Sequence, residues 1–142
     1  MKLVNHLLDN KGRNIVSIAP DASVFDAIKL MADKAVGSLL VMDGEAMLGI
    51  VTERDYARKV ILKGRSSENT NVSEIMTQNV FTTSTAATVH ACMELMTEHR
   101  IRHLPVVDDD KVVGMLSLGD LVNAIISDQQ EEIEQLEHYI SG

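Results

Sequence analysis

Two short motifs carry most of the chemistry this chain can offer: Thr52-Glu53-Arg54-Asp55 and Ser117-Leu118-Gly119-Asp120. Each sets a hydroxyl residue three positions before an aspartate, where a strand is expected to end and a helix to begin. A carboxylate in a first helical turn has acceptor lone pairs and can take hydrogen bonds from two adjacent hydroxyls. The 2′- and 3′-hydroxyls of a ribose are such a pair. The Thr52 or Ser117 hydroxyl is then placed for a ribose or phosphate oxygen, and the positive helix end favours an anion. The same pattern is also a capping box, in which hydroxyl and carboxylate satisfy the helix's own amides. The motif alone leaves both readings open, and they can coexist.

A phosphate would need cations. Arg54 and Arg58 share the expected helix with Asp55, and His99, Arg100, Arg102 and His103 cluster further on. Arginine presents a fork matched to phosphate oxygens, and histidine is a tunable donor. Each of these reads equally well as a solvated surface residue. Lys11 and Arg13 stand before the first strand, where they could reach an added phosphate or simply face water. No Gly-x-Gly-x-x-Gly and no Gly-x-x-x-x-Gly-Lys-Ser/Thr occurs, so nucleotide binding would not use the Rossmann or P-loop route. Catalysis finds little support. Cys92 falls on an apolar helical stripe beside Met93 and Met96, which suits packing rather than nucleophilic attack. The five histidines form no metal-binding pair on one helix, because His99 and His103 straddle an expected helix-to-strand junction. Glu131-Glu132 reads as a wet helix face. We expect no enzyme activity and no metal.

These residues must be positioned by a chain of 142 residues, 45% apolar and 24% charged. That balance builds a packed globular core without metal or disulfide. A net charge of -8 repels phosphodiester backbones, and 3% aromatic content offers no platform for stacked bases, so nucleic acid is not an expected partner. No apolar run is long enough to span a bilayer and the start lacks a secretory signal, so the expected location is the cytoplasm and no membrane partner is expected.

The chain repeats itself at an offset of 65 residues, Ile15 to Ile61 over Val80 to Ile126. Ala22/Ala87, Val24/Val89, Met31/Met96, Leu39/Leu104, Val41/Val106, Gly49/Gly114 and Asp55/Asp120 are among the identical pairs. Each copy opens on a short apolar, hydroxyl-rich segment, Ile15–Ile18 or Val80–Thr83. A helix follows, with an apolar stripe through Val24, Ala27, Ile28 and Met31, or Val89, Cys92, Met93 and Met96. Asp21 or Ser23 can cap the first, Thr85 or Thr88 the second. Then come two strands, Ser38–Met42 with Met47–Val51 and His103–Val107 with Val112–Leu116, each pair joined by a short turn. A second helix starts near Glu53 and near Leu118. The reading is a mixed α/β (α+β) fold of two β-α-β-β-α repeats packed about a pseudo-twofold axis, with short N-terminal and long C-terminal helices. Its boundaries are 1–14 for an N-terminal segment, 15–62 and 80–127 for the repeats, 63–79 for a linker and lead-in, and 128–142 for a helical extension. Leu121, Ile125, Ile126, Ile133, Leu136 and Ile140 continue an apolar stripe into that extension. It suits either packing on its own domain or a subunit contact.

Gly49-Ile50-Val51-Thr52-Glu53-Arg54-Asp55, Gly114-Met115-Leu116-Ser117-Leu118-Gly119-Asp120 and Arg102-His103-Leu104-Pro105-Val106-Val107-Asp108 together resemble the tandem cystathionine-β-synthase (CBS) domain pair, or Bateman module. The match covers nearly the whole chain and looks closest to small stand-alone CBS-pair proteins. The resemblance implies a non-catalytic sensor that binds an adenosine nucleotide, AMP or else ADP, ATP or NAD, in clefts between the repeats. It implies that Thr52 and Asp55, with Arg54 and Arg58 on their helix, face Arg102 and His103 across one cleft. Ser117, Gly119 and Asp120 would face Gly37 and Ser38 across the other. Val36 and Ile101 would supply apolar walls, and Ser17, Ile18, Thr82 and Thr83 the cleft mouths. The Arg102-His103 cleft would hold phosphate more tightly. The resemblance further implies a disc-like homodimer acting on an unidentified regulated protein. An interaction scaffold with vestigial clefts and an S-adenosylmethionine module are the alternatives.

Overall fold

The computed structural model describes residues 2–141. The chain forms two compact units. One is Ile15–Val80; the other joins the residues from Phe81 onward with those up to Asn14.

In the first unit, β1 (Ser17–Ile18), α2 (Val24–Lys34), β2 (Ser38–Asp43), β3 (Ala46–Thr52) and α3 (Glu53–Tyr56) follow the expected order. The short helix α1 (Val4–Lys11) precedes them in the chain. The sheet runs β1-β2-β3, with β1 parallel and β3 antiparallel to β2. Ser23 caps α2 by accepting the Asp26 amide at 3.1 Å. Val24, Ala27 and Met31 bury the helix stripe with Leu39, Val41 and Val51 from the sheet. Gly44, at φ 61°, makes the tight β2–β3 turn that a Cβ would strain. Beyond α3 the helix widens into a π-turn, Ala57–Ile61, in which the Leu62 amide reaches the Ala57 carbonyl.

The stretch expected as linker and lead-in contributes to this core, with Val72 and Ile75 fully buried. Ile50 and Thr77 exchange backbone hydrogen bonds at 3.0 and 2.8 Å. Gly49 is needed at that crossing, since a Cβ there would lie 2.6 Å from the Thr77 carbonyl oxygen.

The second unit repeats the plan with α4 (Val89–His99), capped by Thr88, then β4 (His103–Asp108), β5 (Lys111–Ser117) and α5 (Leu118–Ser141). The β4–β5 turn puts Asp109 and Asp110 at φ 50° and 62°, a conformation that aspartate tolerates better than most residues. One expected element shrinks. The strand over Val80–Thr83 is reduced to a single bridge, Thr83 to Val106. In the first repeat, the Leu40 amide bonds the Val16 carbonyl at 3.1 Å. Pro105 holds the matching position and has no amide to give.

The core of this unit is completed from the far end of the chain. Val4, Leu7 and Leu8 of α1 are buried with Val89, Met96, Leu104, Leu116 and Leu121. Their backbone contacts copy those of Val72 and its neighbours. The Val4 amide bonds Ala87 O as the Val72 amide bonds Ala22 O, and Val89 bonds Lys2 O as Val24 bonds Thr70 O. His6 accepts the Leu3 amide as Glu74 accepts that of Asn71. Gly114 stands against Leu8 as Gly49 stands against Thr77, with a Cβ only 2.8 Å from a Leu8 methyl. The segment ahead of each repeat in sequence therefore packs on the other repeat.

Candidate functional site

In the first repeat, β3 ends at Thr52 and α3 starts at Glu53, placing Asp55 in the first helical turn as expected. The Asp55 amide donates to Thr52 Oγ1 at 3.1 Å. Asp55 Oδ2 accepts the Thr52 amide at 3.0 Å and the Thr52 hydroxyl at 3.2 Å. The capping box is thus formed, and it uses one carboxylate oxygen. The other, Oδ1, faces Lys59 Nζ at 3.0 Å. Lys59 also donates to Ile75 O at 2.8 Å, which ties the turn to the covering segment. Asp55 is 8% exposed, whereas the lysine side chain is 43% exposed.

The second repeat builds the same turn. Asp120 Oδ2 accepts the Ser117 amide at 2.8 Å, and the Asp120 amide donates to Ser117 Oγ at 3.2 Å. Here the lysine comes from α1. Lys11 Nζ donates to both Asp120 Oδ2 and Met115 O at 2.5 Å. Burial works against the Asp120 charge, but Lys11 and the Ser117 amide outweigh it and hold the carboxyl below its ordinary range. Lys59 thus holds the second oxygen of Asp55, whereas Lys11 shares Oδ2 of Asp120 with the capping amide.

The other expected residues fall around these turns. Ser38 pairs across the sheet with Thr52, and His103 with Ser117. The Glu53 amide bonds Gly37 O at 3.2 Å, and the Leu118 amide bonds Arg102 O at 2.8 Å. Within its own unit, then, Thr52-x-x-Asp55 is joined by Val36, Gly37 and Ser38, and Ser117-x-x-Asp120 by Ile101, Arg102 and His103. The expected facing of Asp55 to Arg102 joins residues of different units. Arg54, Arg58, Arg102 and Gly119 are exposed. Ser17 is exposed and Ile18 half-buried on β1. Thr82 is exposed, while the Thr83 hydroxyl lies 3.3 Å from Cys92 Sγ. Burial pushes the Cys92 thiol pKa up, against the lowering effect of Thr83, which suits a packed thiol rather than a nucleophile.

Val36 and Gly37 also line an apolar pocket of about 500 Å³ with Ile28, Met31, Ala32, Ala35, Glu53 and Tyr56. Sequence reasoning missed Glu53 and Tyr56 as lining residues, and missed Lys59 as the partner of Asp55. The spacing from Asp55 to Lys59, one helical turn, was a readable signal. Nothing in the sequence pairs Lys11 with Asp120. Among the described residues no cluster of histidine, cysteine or acidic side chains is arranged to hold a metal, and no helix is long and apolar enough to cross a membrane.

The model of the CBS domain matches residues 11–62 and 72–127. A mitochondrial CBS domain-containing protein of Arabidopsis thaliana, CBSX3, is 44% identical over 127 residues, covering 86% of this chain and 62% of that protein. The chain thus spans less than two thirds of that relative's length. A solved CBS-domain structure from Burkholderia ambifaria is 51% identical with a TM-score of 0.87, over 90% of this chain and 96% of that one. The CBS domain pair of the protein MJ0100, solved with 5′-methylthioadenosine and S-adenosyl-L-methionine, is 25% identical with a TM-score of 0.80, over 90% and 98% of the two chains.

Proposed function

The chain belongs to the CBS-domain family as a tandem pair, a regulatory module, and we propose that it is a non-catalytic sensor of an adenosine-containing ligand held by Asp55 and Asp120. The observation that carries this reading is the duplicated turn. In both repeats capping occupies one oxygen of the carboxylate, so the group keeps acceptor capacity for a ribose diol. At Asp55 the part-exposed Lys59 now holds that second oxygen, and an ammonium displaced by the diol stays close enough to meet a phosphate. The half-buried Val36 and Ile101 supply apolar walls for the base, and the pocket beside Val36 is lined mainly by aliphatic side chains.

AMP is the ligand we favour, ahead of ADP, ATP and NAD, because Arg102 and His103 sit beside the second turn as donors to a phosphate. The MJ0100 complex favours a second reading, S-adenosylmethionine or 5′-methylthioadenosine, which present the same ribose without phosphate. Signalling follows if the ligand binds one arrangement of the protein better than another. We propose a homodimer in the cytoplasm as the acting form, to be checked by light scattering and fractionation.

Thermal shift with AMP, ADP, ATP, NAD and S-adenosylmethionine, repeated on Asp55→Asn, Asp120→Asn and the double variant, tests the reading. Asparagine retains a capping acceptor, so each variant should lose no more than about 1 kcal/mol of stability. Each single variant should lose part of the ligand-induced rise in Tm, and the double variant all of it. A rise that is unchanged in the double variant would refute the ribose role, and turnover of a panel member would refute the non-catalytic assignment.

A further inference from the structure

The terminal half of α5 carries an apolar seam that its own unit leaves open. The helix buries Leu121 and Ala124, and Lys2 ties it at Asp128 and Ser127, at 3.3 and 3.4 Å. From Gln129 to Ser141 every residue is exposed. On that length Ile133, Leu136 and Ile140 are 54%, 61% and 82% exposed, and Val122 and Ile126 extend the line towards the core. The spacing, Val122, Ile126, Gln129, Ile133, Leu136, Ile140, alternates steps of four and three and so keeps one face over the whole length. A lone exposed helix of this length is marginal in water, which argues that the seam is meant to be covered.

The charges around the seam decide by what. Between Leu118 and Ser141 the sequence has Asp120, Asp128, Glu131, Glu132, Glu134 and Glu137, and no lysine or arginine. Glu132 and Glu137 are the charged residues that flank the seam, beside the uncharged Asn123, Ile125, Gln130 and Tyr139. Two copies of this helix laid parallel and in register bring Glu132 towards Glu137 with no lysine or arginine to pair. We infer that the seam docks an amphipathic helix of a partner protein, one with apolar residues at the same spacing and lysine or arginine at its flanks. Gln129 breaks the apolar line once and sets the register by facing a polar residue of that helix. The ligand site takes no part in this inference.

Two synthetic helices, with leucine along the seam and either lysine or glutamate at every flanking position, are titrated into the full chain and followed by fluorescence anisotropy. The lysine-flanked helix should bind at least tenfold tighter, and its affinity should fall as salt is raised. Glu132→Lys/Glu137→Lys should invert the preference. Ile133→Asn/Leu136→Asn should weaken binding at least tenfold with an unchanged near-native circular dichroism spectrum. Equal binding of both helices, no binding of either, or undiminished binding to the Ile133→Asn/Leu136→Asn chain overturns the inference. So does a native mass by light scattering that halves in that variant, which would assign the seam to a second copy.

Discussion

Asp120 shows how much a single side chain contributes here and when. Its carboxyl is held below the ordinary range, with Lys11 and Ser117 overcoming the effect of burial. Folding therefore lowers its affinity for protons. The resulting stabilisation is complete above the pKa of an unfolded aspartate, about 3.9, and is lost as the pH falls through the lower folded value. The pair is partly exposed, 37% for Lys11 and 26% for Asp120, so solvent screening limits it to about 0.5–1 kcal/mol. Lys11→Met should lower Tm by a few degrees at pH 7, and the difference should shrink towards pH 2–3. A difference constant across that range would mean that Lys11 acts through packing alone. Only half of this site could be read from the sequence. Thr52, Asp55, Ser117 and Asp120 are marked by their spacing at an expected strand-to-helix junction. Lys11 stands 109 residues from Asp120, and no periodicity links positions so far apart.

Elements in this chain are set by where the backbone tolerates a side chain and where it does not. α2 ends at Ala35 with φ 54°, and α4 ends at the matching Arg100 with φ 55°. A left-handed residue with a Cβ is strained, and glycine is the usual occupant of that helix-ending position. Ala35→Gly should therefore stabilise by about 0.5–1 kcal/mol. Gly49→Ala should do the opposite, costing about 2 kcal/mol or more, because its Cβ would lie 2.6 Å from the backbone oxygen of Thr77. Denaturant midpoints of the two variants should move in opposite directions at unchanged slope. The helix stripes, their serine and threonine caps and the two hairpins were all legible, since each rests on local periodicity or turn chemistry. The lost strand at Val80–Thr83 was not. Its hydroxyl and apolar residues suit a strand, and the obstacle is a proline in the strand it would pair with. The left-handed helix ends were equally hidden, because neither Ala35 nor Arg100 announces one.

At the scale of the whole chain, the 65-residue offset reveals the repeats but hides how the chain weaves between their cores. Val4, Leu7 and Leu8 correspond to Val72, Ile75 and Met76, which lie 68 positions later, three out of step with the main repeat. An ungapped comparison passes over them, and α1 reads as an appendage. Its burial shows otherwise, with Val4 fully buried and Leu8 1% exposed in the core of the residues from Phe81 onward. Burying three such side chains is worth roughly 1.5–3 kcal/mol each. That sum is comparable with the 5–15 kcal/mol by which a domain is stable. Deleting residues 2–9 should thus damage the half of the chain that is distant in sequence. Hydrogen exchange should show β4, β5 and α4 losing protection, while β2 and β3 keep theirs. Val72→Ala/Ile75→Ala should produce the converse pattern, exposing β2 and β3 and sparing β4 and β5. If the truncation instead loosened β2 and β3, the N-terminal helix would serve the repeat it precedes, and the exchange of segments between repeats would be disproved.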